Sequence, residues 1–116
     1  MNSKLKTERI VEALEGKKAR DISVIDMQGI SILADYFVIC NGTSTTHIKT
    51  LSDEVEEKMN EMGLGYTHKE GYSTARWILM DYGDVVVHIF HEDERLFYNL
   101  ERLWSEGLIQ GVHGEV

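Results

Sequence analysis

A single α/β domain, with a mixed β-sheet covered by helices, follows from three features of the sequence. Helical and strand-like stretches come in the order helix, strand, strand, helix, short strand, strand, strand, helix. The stretch from Trp77 to His91 consists of two runs rich in β-branched and aromatic residues, joined at a tight turn that carries Gly83. Neither run alternates apolar with polar residues, which is the pattern of strands covered on both faces. This hairpin is therefore placed in the middle of the sheet, with helices packed on it.

The elements follow in chain order. From Lys4 to Glu15, Leu5, Ile10, Val11 and Leu14 recur at helical spacing, and Gly16 is the expected stop. Ala19 to Met27 alternates, with Ile22, Val24 and Asp26 on one side and Ser23, Ile25 and Met27 on the other, as in a half-buried strand. Gln28-Gly29 marks a turn. Asp35 to Asn41 is a second strand, buried on both faces and antiparallel to the first. Gly42-Thr43-Ser44 closes it and opens a helix, with Ser or Thr as N-cap. Ile48, Leu51, Val55, Met59 and Met62 then fall at steps of three and four, with Asp53, Glu54, Glu56 and Glu57 on the other faces, and Gly63 ends the helix. Tyr66 to Glu70 has the character of a short edge strand, and Gly71 to Thr74 leads into the hairpin. After it, acidic residues 92–94 precede Leu96, Phe97, Leu100, Leu103 and Trp104, an amphipathic helix started by favourable charge. The domain is thus 1–104, and 105–116 is expected to be a loose tail with three glycines and no periodicity.

The hairpin tip is the most informative detail. With Tyr82 and Gly83 as the two loop residues, Asp81 and Asp84 would form a directly opposed cross-strand pair, whose like charges repel by up to about 1 kcal/mol. One explanation is that Asp81 only hydrogen-bonds the turn backbone. The other is that an acidic tip flanked by aromatic residues meets a cationic partner. Trp77, beside Arg76 and near Tyr72, is either a core residue or an interface anchor of the type that dominates binding energetics.

Composition narrows the function. Twenty acidic against twelve basic residues give a net charge of −8, unsuited to gripping phosphates with clustered Lys and Arg. Little or no direct contact with nucleic acid is expected; a basic protein is the better partner. No apolar run nears the roughly 20 residues of a membrane span, and the first ten residues lack the apolar core of a signal peptide. The single cysteine, Cys40, fits a reducing cytoplasm and a small buried side chain.

Catalytic and metal chemistry find little support. The Gly42-Thr43-Ser44 turn before a helix offers an anion a dipole and N–H groups, but the Walker pattern is absent. A strand, Gly-x-Ser and a helix also occur in nucleotidyltransferases, which need paired carboxylates soon afterwards to hold magnesium; here Thr45, Thr46, His47, Ile48, Lys49 and Thr50 follow. The histidines have no ligand spacing: His88 and His91 point to opposite faces of a strand, and His47 belongs to a helix start. No catalytic residue, metal or cofactor is assigned. A nucleotide-binding or nucleotidyltransferase-like enzyme working through the Gly42-Thr43-Ser44 turn is kept as the alternative.

One set of residues, in order, is specific. Asp35 to Ile39, Gly42-Thr43-Ser44, His47, Glu70-Gly71, Trp77, Asp81 to His88, Phe97-Tyr98, and Leu100, Glu101, Leu103 and Trp104 together resemble the Iojap family, whose bacterial members are ribosomal silencing factors. The resemblance covers roughly residues 5–104. It implies a nucleotidyltransferase-like fold without the catalytic carboxylates, and binding to protein number fourteen of the large ribosomal subunit at the face that meets the small subunit. It also implies a block of subunit joining that represses translation, a homodimer when free, and in organelle relatives a part in large-subunit assembly. Partner-binding roles carry over to Trp77, Asp81, Tyr82, Gly83 and Asp84, and then to Glu70, Gly71 and His47. Relatives often have a basic residue before that histidine, where this chain has Thr46.

Overall fold

The computed structural model describes residues 2–94. The predicted helix from Leu96 to Trp104 and the tail lie outside them. Two helices and five strands make up the described chain: α1 (Ser3–Gly16), β1 (Arg20–Asp26), β2 (Tyr36–Gly42), α2 (Thr45–Glu61), β3 (His68–Glu70), β4 (Trp77–Asp81) and β5 (Val85–His91). They match the predicted order and limits to within two residues.

The strands form one mixed sheet in the order β1-β2-β5-β4-β3. The pair β1/β2 is antiparallel, as predicted, and so are β4/β5 and β3/β4; β2 and β5 run parallel. Strand β5 is central, which explains its apolar character on both faces. Its hairpin partner β4 is second from the edge and alternates instead, with Ile78 and Met80 fully buried and Trp77, Leu79 and Asp81 half-buried. The edge strand β3 is three residues long. Its one inward-facing residue, Lys69, reaches Glu56 on α2 at 2.9 Å and lies over the Tyr72 ring at 4.6 Å, so the edge is short and charged, a common defence against pairing with other chains.

Both described helices lie on one face of the sheet. Ile10, Ala13 and Leu14 of α1 and Ile48, Leu51, Val55 and Met59 of α2 pack on Val38, Cys40, Val85, Val87, Ile89, Ile78 and Met80. Cys40 is the small buried hydrophobe expected of it. On the opposite face Ile25, Met27, Ile39 and Phe90 make a second buried cluster, edged by Phe37 and Trp77. Strand β1 is therefore not half-buried: Ser23, Val24 and Ile25 are all buried, because β1 contributes to both clusters.

Helix ends follow their caps. The Ser44 hydroxyl accepts from the His47 N–H at 3.0 Å and opens α2. At the far end Gly63 takes φ +75°, and the Gly63 and Leu64 N–H groups close on Asn60 and Met59. Helix α1 ends differently from expectation: Gly16 is its last residue, and the left-handed position falls two residues on, at Lys18 (φ +65°).

Candidate partner-binding face

The register of the β4/β5 hairpin corrects the predicted tip. Asp81 pairs with Val86, and the Tyr82 N–H donates to the Val85 carbonyl at 2.9 Å. The loop is therefore Gly83-Asp84, and the two aspartates are not opposed. Gly83 has φ +89° at the first loop position, where a two-residue hairpin of the II′ class takes glycine. The one-residue shift also moves Tyr82, whose ring was expected to flank the tip. It is buried in the helix-side core, edge-on to Tyr66 at 6.4 Å. Burial pushes its phenol well above the ordinary value, with Glu56 and Tyr66 adding to the effect. Its side chain supports the turn from inside and offers no surface to a partner.

The aspartates have separate tasks. Asp81 accepts the Gly83 N–H at 2.7 Å through Oδ1, which is the turn-stabilising role considered above. It remains half-buried, with its second oxygen outside that bond. Asp84 is paired with Lys6 of α1 at 2.8 Å, and Lys6 also donates to the Tyr82 carbonyl at 3.3 Å. Asp84 thus fastens the turn to the first helix, and its charge is offset locally. Nothing in the local sequence indicated Lys6, which lies 78 residues away.

Trp77, Leu79 and Asp81 share the face of β4 that points away from α1 and α2. Trp77 and Asp81 are about 13 Å apart along the strand at its usual rise. Register sets His88 and Val86 of β5 beside Leu79 and Asp81 on one side, and Glu70 and His68 of β3 on the other. Trp77 stacks on Phe90 at 4.9 Å and donates its indole N–H to His88 Nδ1 at 3.1 Å. That bond makes Nδ1 an acceptor and leaves the proton of the neutral ring on Nε2. Burial pushes the His88 pKa down to about 4, so the ring is neutral at physiological pH. His88 is a buried residue hydrogen-bonded through Nδ1, and it fixes the indole. Glu70 is exposed and pairs with His68.

Two predicted residues act at a distance from this face. Gly71 has φ +83°, and a Cβ there would lie 2.0 Å from the Trp77 carbonyl oxygen. Only glycine lets the β3–β4 loop cross Trp77 so closely. His47 stands at the start of α2, on the helix side. Its Nδ1 accepts from the Thr43 N–H at 3.0 Å, and its Nε2 meets the Lys17 carbonyl at 2.8 Å, so both ring nitrogens are used to join α2 to the end of α1. The face therefore gathers Trp77, Asp81 and Glu70; Gly71, Gly83 and Asp84 shape it; Tyr82 and His47 lie inside or behind it.

The glycine turn has a packing explanation too. A Cβ on Gly42 would meet Ile48 Cγ1 at 3.0 Å and His47 Nδ1 at 3.1 Å, so glycine there lets α2 sit close to β2. The Thr43 and His47 N–H groups, which an anion would need, are bonded within the turn. Among the described residues no group of three or more His, Cys, Asp or Glu side chains is placed to hold a metal ion, and no helix is long and apolar enough to cross a membrane.

The fold is thus a mixed-sheet α/β domain whose glycine turn is occupied by its own backbone and histidine. Comparison with known proteins narrows this. A profile of the family described as "Ribosomal silencing factor during starvation" matches residues 1–114. The ribosomal silencing factor RsfS of Bacillus subtilis is 45% identical over 106 residues, 91% of this chain and 90% of its own. A crystal structure of a Chromobacterium violaceum protein superposes with a TM-score of 0.87 at 33% identity, covering 90% of this chain and 87% of that one. A crystal structure from Bacillus halodurans gives 0.80 at 44% identity, covering 89% and 95%. The chain belongs to the ribosomal silencing factor family, to which the Iojap proteins are related, and its role is regulatory and not enzymatic.

Proposed function

We propose that this chain binds the large ribosomal subunit through its protein number fourteen, at the face that meets the small subunit, and represses translation by blocking subunit joining. The mechanism is steric: an occupied docking face leaves no room for the small subunit, and no bond is made or broken. The observation that carries this reading is the outer face of β4, where an aromatic anchor, Trp77, and a carboxylate, Asp81, lie on one strand beside exposed Glu70. An aromatic centre with a charged rim is the composition of a protein-binding patch, and a net charge of −8 suits a basic ribosomal protein. Place and state follow from the same reading: a cytoplasmic protein associated with ribosomes, and a homodimer when free, as the family resemblance implies.

The test is a sucrose gradient with purified subunits. The protein is expected to travel with free large subunits, and pre-loaded large subunits are expected to form fewer joined ribosomes when small subunits are added. Normal joining at saturating protein would remove the steric mechanism. Calorimetry with ATP or GTP and magnesium checks the nucleotide alternative, for which no heat is expected.

A further inference from the structure

The loop between β1 and β2 carries three apolar side chains into solvent. Ile32 is fully exposed, at 101% of its reference area; Leu33 is 81% exposed and Ile30 43%. A soluble domain gains nothing from such a cluster at a loop tip unless something covers it. The loop is also built to hold this shape. The Ile30 and Ser31 N–H groups donate to the Met27 carbonyl at 3.0 and 2.9 Å, and the Met27 N–H donates to the Asp35 carbonyl at 2.7 Å. The Ser31 hydroxyl accepts from the Leu33 and Ala34 N–H groups at 3.0 and 3.3 Å. These backbone donors are satisfied within the loop, while the Ile32 and Leu33 side chains are left outside.

Its position matters as much as its composition. The Asp35 N–H, at the end of this loop, donates to the Asp84 carbonyl at 2.7 Å, and the Tyr36 N–H does so at 3.2 Å. The apolar loop and the Gly83-Asp84 turn are therefore fastened together at one end of the sheet, next to Asp81. The result is one rim with an apolar prominence and the carboxylates of Asp35 and Asp81 beside it.

We propose that Ile32 and Leu33 are a second anchor of the docking surface, inserting into an apolar pocket bordered by Lys or Arg on the basic ribosomal protein that Asp81 faces. This rests on the function proposed above. Charge selects the occupant. Carboxylates at the rim and a net charge of −8 repel anionic lipid headgroups and RNA phosphates, and attract a cationic protein. A loop already ordered in the free state loses little conformational freedom on docking, which favours tight binding.

The test compares wild type, Ile32→Ser/Leu33→Ser and Asp81→Asn for binding to purified large subunits across a salt series. The double variant changes only solvent-exposed side chains, and its urea midpoint is expected to match wild type. It is expected to bind at least about tenfold more weakly, a factor that stays constant as salt rises, because apolar contacts are not screened; the loss in Asp81→Asn is expected to shrink with salt. Unchanged binding in the double variant, with Asp81→Asn weakened, overturns the loop anchor and leaves the main function standing. No binding by wild type overturns both. A change in oligomeric state in the double variant, or wild-type partition onto phosphatidylglycerol vesicles, assigns the loop to self-association or to lipid and overturns this proposal.

Discussion

Lys6 and Asp84 decide how much charge the hairpin tip offers a partner. The lysine is 14% exposed and the aspartate 35%, so the pair is partly shielded from water and joins elements far apart in the chain. Removing it in Lys6→Ala should cost about 1 kcal/mol, read as a fall of a few degrees in melting temperature, with ribosome binding reduced only as far as the turn loosens. A double reversal at Asp81 and Asp84 would confuse loss of contact with loss of this fastening, and substitution at Asp81 alone avoids that. His88 gives a prediction in pH. Its folded pKa of about 4 lies below the ordinary value near 6.5, so at intermediate pH the unfolded chain binds more protons than the folded one. The contribution is complete above pH 6.5, is lost as pH falls through that window, and levels off below about 4. Its full extent is at most about 3 kcal/mol. Urea titrations from pH 7.5 to 4.5 should show this slope in wild type and a shallower one in His88→Leu; equal slopes would mean that His88 is not the titrating group.

The elements separate glycines that look alike in sequence. Gly71 has both a positive φ and a backbone oxygen where its Cβ would go, whereas Gly83 has φ +89° and open space around it. Gly71→Ala should therefore cost more than about 3 kcal/mol or displace the loop over Trp77, and Gly83→Ala about 1 kcal/mol from backbone strain alone. Thermal melts give the order, and near-ultraviolet circular dichroism should change in Gly71→Ala, where the indole moves. At this scale the chain was largely legible, because each element has one periodicity and a clear stop: Ile48 to Met59 on one face of α2, Gly63 at its end, apolar β5 in the centre. The tip was not. Acidic residues either side of Tyr82-Gly83 suggested a symmetric turn, but burying the Tyr82 ring set the register one residue later. In the β1–β2 loop Gln28-Gly29 has the signature of an ordinary turn, and the feature that sets it apart is Ile30, Ile32 and Leu33, apolar residues where a connection is normally polar. Lys6 and the parallel pairing of β2 with β5 depend on contacts across the whole chain, which local patterns do not carry.

At the scale of the molecule, the sheet has two unlike faces. One is filled by α1 and α2. The other carries the outer side chains of β4, and at its end the rim formed by the β1–β2 loop and the hairpin turn. Membership of the silencing-factor family directs attention to a ribosomal partner, and the negative charge of the chain to a basic one. Two kinds of electrostatics must be kept apart here: a general attraction from the net charge, which any carboxylate shares, and a specific contact at Asp81. The direct measurement is the affinity for purified large subunits of Asp81→Asn against Glu57→Gln. Both remove one negative charge; the first retains an oxygen that can accept the Gly83 N–H, and the second lies on the exposed face of α2. Asp81→Asn is expected to weaken binding about tenfold at low salt, with Glu57→Gln within about twofold of wild type, the scale of one charge-assisted contact against one screened surface charge. Equal effects of the two substitutions, or wild-type affinity in Asp81→Asn, would contradict the assignment of the β4 face as the docking surface.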